Sequence, residues 1–386
     1  MLDGEDGAHP APGALRPGGD SRRDAEEVLV PPGDGGWLHA HGGQASAVGG
    51  PGRPAHSVGP VTRSFAEYLS STLDAVREDS GGEVHGVPSA LAEADPDRLG
   101  VALCTTEGEI FDSGDSEHEM TIQSVAKAFV YALVLDEYGV EEVMERVDVE
   151  PSGEAFDVLS VEPETKRPRN PMINAGALVV HGMVGGPSSS WEDRDRLVLE
   201  GLSRLAGREL TLDEQAAEEE LAAAHRNLAI AHMLRGEGVM EDDPRDVVQG
   251  YIRQCSVLVT TRDLAVMAAT LATGGRQPIT GERVLSVASS RQALSVMTTC
   301  GMYDSAGDWM SEIGIPAKSG VSGVLVGAIP GRFGLATYSP RLDRHGTSTR
   351  GRAVFERMSR ELDLHLLTDP AARQDLWTEL VESGQA

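Results

Sequence analysis

Positive charge is what this chain has least of. Its 386 residues carry 33 Lys+Arg against 61 Asp+Glu, a formal net charge of −28. Nucleic acid and anionic membrane surfaces both attract cationic protein, so neither is an expected partner. The acidic excess favours solubility and is compatible with a high-salt habitat. Aromatic residues make up only 4%, which leaves Ala, Val, Leu, Ile and Met to build the core. The three cysteines, Cys104, Cys255 and Cys300, are far apart and form no Cys-x-x-Cys. Reduced thiols of a cytoplasmic protein are therefore expected. The 11 histidines show no zinc-ligand spacing, and neither metal nor cofactor is expected. No run of 18 apolar residues exists to span a membrane. The opening Met-Leu-Asp-Gly-Glu-Asp has neither the basic nor the apolar region of a secretory signal.

Residues 1–60 are dense in Gly, Pro, Asp, Ser and His. Such a stretch buries too little apolar surface to offset its ordering entropy, which predicts a disordered extension. The pattern changes near Ser64, where Phe65, Leu69, Leu73 and Val76 recur at helical spacing. Residues 99–104 read as a strand, and Glu107-Gly108 turns into a second strand over 109–111. A long apolar helix follows and stops at Gly139. Helices are predicted over 191–205, 211–224, 227–235 and 261–271, the last capped by Thr261. Two strands over 323–329 and 333–338 flank Pro330-Gly331, and a helix over 352–366 closes the pattern before the tail at 367–386. This order predicts an α+β fold. An antiparallel sheet from 97–113 and 322–340, flanked by helices, joins a helical subdomain over about 141–315. The whole makes one catalytic domain over 61–366, with its site in the cleft between sheet and helices.

The most informative stretch is Ser124-Val125-Ala126-Lys127 at the start of the apolar helix. Residues i and i+3 share a helix face, so Lys127 reaches the Ser124 hydroxyl. A serine alcohol needs a base to take its proton, and a lysine serves if burial or a helix dipole keeps it neutral. The free N–H groups of a helix start also suit a developing oxyanion. A second stretch, Pro316-Ala-Lys318-Ser319-Gly320-Val321-Ser322-Gly323, precedes a strand. A cation there either holds a substrate carboxylate or tunes the nucleophile, and the glycines let substrate approach the backbone; the competing reading is a solvated lysine at a strand entry. Asn174, in Asn170-Pro-Met-Ile-Asn-Ala-Gly-Ala177, either caps a helix or binds a polar ligand. Tyr251 and Tyr303, two of only six tyrosines, either fill the core or carry a proton to a leaving amine. Glu220 and Asn227 are seven residues apart, two helical turns, which predicts one shared helical face.

Taken in order, these pieces resemble the serine-dependent glutaminase family, which shares the β-lactamase and penicillin-binding-protein fold. The resemblance spans about residues 65–362. It is carried by Pro88–Asp97, Ile122–Lys127, Glu150-Pro-Ser-Gly153, Asn170–Ala177, Arg226-Asn227, Tyr251, Gln254-Cys-Ser256, Asp263-Leu-Ala265, Cys300-Gly-Met-Tyr-Asp304 and Pro316–Val321. It implies that Ser124 attacks the side-chain amide of L-glutamine and that Lys127 accepts its proton. It implies an oxyanion hole from the N–H groups of Ser124 and Val321, and a proton-carrying Tyr251. Tyr303 would shape the pocket, while Asn174, Glu220 and Asn227 would hold the amino-acid end of the substrate. Lys318 and Gln123 would support the site. A homodimer or homotetramer is also implied.

The chain departs from the family pattern at Val125-Ala126, where the family is usually bulkier. It departs again at Ser322-Gly323-Val324, which replaces an all-glycine turn. Among Glu218-Glu219-Glu220, the offset from Asn227 selects Glu220. Two other functions compete. A penicillin-recognising peptidase or β-lactamase shares both lysine motifs, but no Ser-Asp-Asn lies between them. A non-catalytic amino-acid-binding relative has no need to keep Ser124, Lys127, Tyr251 and Tyr303 together.

Overall fold

The computed structural model describes residues 64–187 and 189–369, all within one compact unit, Gly59–Ala386. The extension expected over 1–60, and the tail from residue 370, lie outside the described residues. In chain order the strands are β1 (Gly100–Thr105), β2 (Ile110–Gly114), β3 (Met120–Thr121), β4 (Thr211–Leu212), β5 (Val257–Val259), β6 (Ala317–Ser319), β7 (Val324–Ile329) and β8 (Phe333–Tyr338). Five of them form an antiparallel sheet in the order β2-β1-β8-β7-β6. Strands from the two ends of the described region thus share one sheet, as their order in the sequence predicts.

The central strands β1, β7 and β8 are buried along their whole length, because both faces of the sheet are covered. Successive side chains point to opposite faces. Ala102 and Cys104 therefore join a core with the Thr261–Ala272 helix, while Val101 and Leu103 join another with the helices Phe65–Val76 and Thr349–Glu361. Strands buried on two faces read as near-continuous apolar runs, which is why Val324-Leu-Val-Gly-Ala-Ile329 was legible as one.

Small residues set the spacing on the first face. A Cβ placed on Gly334 of β8 would lie 2.2 Å from the carbonyl of Ala265 and the amide of Ala269, both backbone atoms of the Thr261–Ala272 helix. That helix therefore rests directly on the strand. A Gly334→Ala exchange should lower stability by about 1–3 kcal/mol through overpacking, read as a lower urea midpoint. An unchanged midpoint would show that the helix lifts away without cost.

The Ala126–Tyr138 helix is buried on nearly every side, as expected for a helix that is apolar all round. It ends at Gly139, whose φ of +84° favours a residue without a Cβ. Two sequence expectations change. Thr211–Leu212 is a strand ahead of a helix over Glu214–Ala222, and Thr260 rather than Thr261 caps the next helix. Strand β4 pairs with β5 and β5 with β3, making a small second sheet. Two- and three-residue strands carry too little alternation to be seen in a sequence.

Candidate active site

The small sheet gathers the site. Strand β3 leads straight into the three-residue turn Gln123–Val125, and the Ile122 amide donates to the Val257 carbonyl at 2.8 Å. Strand β5 follows the Pro244–Cys255 helix, which carries Tyr251, and β4 precedes the Glu214–Ala222 helix, which carries Glu220. Pairing three short strands thus brings three distant segments to one place.

Ser124 sits in the short 3₁₀ turn just before the Ala126–Tyr138 helix. The Lys127 amine lies 3.1 Å from its hydroxyl and donates at 2.7 Å to the Asn174 side-chain oxygen. Asn174 in turn donates to the Asn227 side chain at 3.0 Å. Asn174 opens the Asn174–Met183 helix without capping it; its amide is spent on Lys127 and Asn227 instead. The Tyr303 hydroxyl stands 3.5 Å from the Lys127 amine, and Ser124 lies near enough to favour its ionised form against the larger effect of burial. Lys127 is 1% exposed, and this burial pulls its amine down to about 8, so the neutral form, scarce at the ordinary lysine value, is about a tenth of the total at pH 7 and grows above it.

Lys318 on β6 is fully buried. Its amine donates to the Ser319 carbonyl at 2.7 Å and lies 3.8 Å from the centre of the Tyr303 ring. Burial, and then the nearby Lys127 charge, hold it well below the ordinary lysine range. The solvated-lysine reading does not survive this burial. The whole chain contains three lysines, Lys127, Lys166 and Lys318, and two of them meet here.

Glu220 and Asn227 correct a sequence expectation. The chain breaks after Ala222 and restarts as the helix His225–Gly236, so the two residues occupy different helices rather than one face. They still point into the same site. The Gln123 amide donates to Glu220 at 2.5 Å and to the Thr121 hydroxyl at 3.2 Å. Burial raises the Glu220 carboxyl to about 7, against the opposing Gln123 hydrogen bond.

Gln123 and Tyr303 have φ values of +50° and +54°, in the left-handed region. Such conformations cost roughly 1–3 kcal/mol each for residues with side chains and cluster at functional sites. Tyr303 packs on the Phe156 ring at 5.0 Å between centroids. Tyr251 is buried, and Cys255, one helical turn on, is among the neighbours that raise its phenol beyond the effect of burial. Burial keeps the Tyr251 and Tyr303 phenols protonated, and pushes the Cys255 thiol up to about 12. Cys255 is therefore a neutral thiol rather than a nucleophile.

Val321 lies in the turn between β6 and β7, closed by Gly323 N–H to the Gly320 carbonyl at 3.0 Å. A Cβ on Gly320 would stand 3.3 Å from both the Ile122 carbonyl and a Val125 methyl, so this turn abuts the Ser124 turn. No acceptor among the described residues pairs with the N–H of Ser124 or Val321. The Ser322 variation leaves the turn closed; Gly323 takes the φ of +93°. Phe156 and Cys255 were missed as site residues. Cys255 had a signal in its i+4 spacing from Tyr251, but Phe156, within a non-helical stretch, had none.

Among the described residues no cluster of His, Cys, Asp and Glu suits a metal ion, and no helix is long and apolar enough to cross a membrane. The family model for glutaminases matches residues 82–367. The chain belongs to the glutaminase family. A glutaminase of Corynebacterium efficiens is 50% identical over 84% of this chain and 77% of its own length. One from Corynebacterium glutamicum is 52% identical over 80% of this chain and 74% of its own. The crystal structure of Mglu in its glutamate form superposes with a TM-score of 0.77 at 48% identity, covering 79% of this chain and 70% of that one. A Bacillus glutaminase crystal structure gives 0.71 at 29% identity, covering 78% and 99%. Glutaminase activity is hydrolysis of the side-chain amide of L-glutamine, and the fold is the β-lactamase-like one. The family settles the substrate class as a free amino-acid amide rather than a cell-wall peptide.

Proposed function

We propose that Ser124 carries out glutamine hydrolysis through an acyl-enzyme, with Lys127 as its base. The observation that carries this reading is the Lys127 amine, solvent-free and 3.1 Å from the Ser124 hydroxyl. Lys127 takes the hydroxyl proton as the oxygen attacks the amide carbon. The oxyanion that forms accepts from the N–H groups of Ser124 and Val321, each such donor being worth about 2.7–4 kcal/mol in the barrier. The proton on Lys127 returns to the departing nitrogen through the tyrosine hydroxyls. Tyr303 touches the amine, and Tyr251 is the donor facing the leaving group. Ammonia leaves, and a γ-glutamyl ester remains on Ser124. Water then attacks the ester, giving its proton to Lys127, and glutamate departs as the serine oxygen is reprotonated. Lys318 holds the Tyr303 ring in place.

Asn174, Asn227 and Glu220 bind the amino-acid end of the substrate, with Gln123 orienting Glu220, while Tyr251 contacts the amide end. A zwitterion needs both an anionic and a hydrogen-bonding partner, and Glu220 meets its α-ammonium. Rapid acid quenching during turnover, followed by peptide mass analysis, should find one γ-glutamyl group on the peptide containing Ser124. A quenched enzyme that carries the group elsewhere would overturn the assignment.

The Glu220 carboxyl titrates near 7 in the free enzyme, so acid removes the charge that meets the ammonium. The KM for glutamine should rise as pH falls below about 7. A Glu220→Gln chain should have a KM raised about tenfold or more and no longer sensitive to pH in that range. A flat KM for the parent chain between pH 5 and 7 would contradict this role. We further propose that residues 61–366 form the catalytic domain, that the enzyme is a homodimer or homotetramer, and that it is cytoplasmic. The last is supported by three cysteines that are all free and buried.

A further inference from the structure

The strained residue Tyr303 is followed by Asp304, which is exposed and meets His345. Both Asp304 carboxylate oxygens lie 3.0 Å from Nδ1 of His345. Nε2 of the same ring accepts from the Arg344 guanidinium at 2.9 Å. A nitrogen that accepts carries no proton, so the other nitrogen holds it. The imidazole is thereby fixed as a donor to Asp304.

His345 is itself held rigidly. Its amide and that of Thr347 both donate to the Asp343 carboxylate, at 2.8 Å and 3.0 Å. The loop is anchored at its base by paired hydrogen bonds between Leu342 and Glu83, 2.9 Å and 3.0 Å long. Its tip also reaches the oxyanion turn: a Cβ on Gly346 would contact a Val321 methyl at 3.6 Å. The loop borders a cavity of about 730 Å³ whose wall includes Phe156, Val321 and His345. One short loop therefore touches the neighbour of Tyr303 with one residue and lies beside Val321 with the next.

We propose that His345 is a positioning residue for glutamine hydrolysis: through Asp304 it clamps Tyr303 from outside the pocket, keeping the phenol on Ser124 and Lys127. This rests on the role given above to Tyr303. A left-handed backbone persists only where its surroundings over-determine it. From inside the pocket the Tyr303 ring is held by Lys318 and Phe156; from outside, the Asp304–His345 contact fixes the next residue. Releasing it lets the short turn relax and carries the hydroxyl away from the amine. Substrate-binding groups on other elements stay where they are, so the loss falls on turnover rather than on affinity.

The test is a double-mutant cycle on glutamine hydrolysis by the full chain. His345→Ala should lower kcat about tenfold with KM changed less than about threefold. His345→Asn, which offers an amide N–H near the place of Nδ1, should recover most of the loss. In a Tyr303→Phe background His345→Ala should have little further effect, because the group it positions is gone. The proposal is overturned if His345→Ala keeps parental kcat while Tyr303→Phe is impaired; the role of Tyr303 then stands without the clamp. It is overturned too if the same fold loss persists in the Tyr303→Phe background, which would mean a structural role independent of the phenol. Parental kcat in Tyr303→Phe alone would remove the role of Tyr303 and the clamp with it. Melting temperatures of the variants, compared with the parent, separate a local release from general unfolding.

Discussion

Ammonia release from glutamine should fall on the order of 10⁴-fold or more in kcat when Ser124 becomes alanine. The size follows from the geometry. Without the hydroxyl no acyl-enzyme forms, and Lys127, placed 3.1 Å from that oxygen, has nothing to deprotonate. Oxyanion donors and substrate-binding groups remain, so KM or a substrate Kd should move far less than kcat. Glutamate binding by the variant, measured by calorimetry, separates lost chemistry from lost structure. A variant with a tenth of the parental turnover would require another nucleophile. Cys255 could not take that place, since its thiol is buried and held up to about 12.

The second large effect belongs to Lys127. Exchange for arginine should cost about 10²–10⁴-fold in kcat, the usual worth of a positioned general base. Arginine keeps the charge and most of the length, but it does not lose a proton in proteins. Exchange for alanine should cost at least as much, which distinguishes a base from a cation that merely attracts. The parental pH profile carries the same information. Only neutral Lys127 accepts a proton, and burial sets its titration near 8. Turnover should therefore rise with pH through about 8, on the kcat axis, while the Glu220 effect lies lower and on KM. An arginine variant with turnover near parental would remove Lys127 from the mechanism.

Local chemistry was the part most readable in the sequence. A hydroxyl and an amine three residues apart on one helical turn meet whatever the rest of the fold does, so Ser124 and Lys127 were visible at once. The central strands β1, β7 and β8 were visible because burial on both faces makes their sequences continuously apolar. Glu220 and Asn227 were paired by a spacing that suggested one helix, yet the helix ends between them; Glu220 meets Gln123 and Asn227 meets Asn174 instead. The Asp304–His345 contact spans 41 residues and belongs to no periodic pattern. Phe156 is likewise delivered to Tyr303 by an irregular stretch, whose placement depends on tertiary contacts such as the Asn174 amide donating to its carbonyl at 2.9 Å. Both follow from tertiary packing, which sequence spacing does not encode.

The scarcity of lysine has a practical side. With Lys127 and Lys318 sealed in the core of the site, the remaining lysine side chain is Lys166. Reagents that couple to primary amines thus have one side-chain handle outside the site. It lies in the irregular stretch that also carries Phe156. A dye or a solid support joined there would leave Lys127 and Lys318 unlabelled while standing on the segment that packs against Tyr303. The same chemistry that would poison a lysine-rich enzyme leaves the two buried amines of this one untouched.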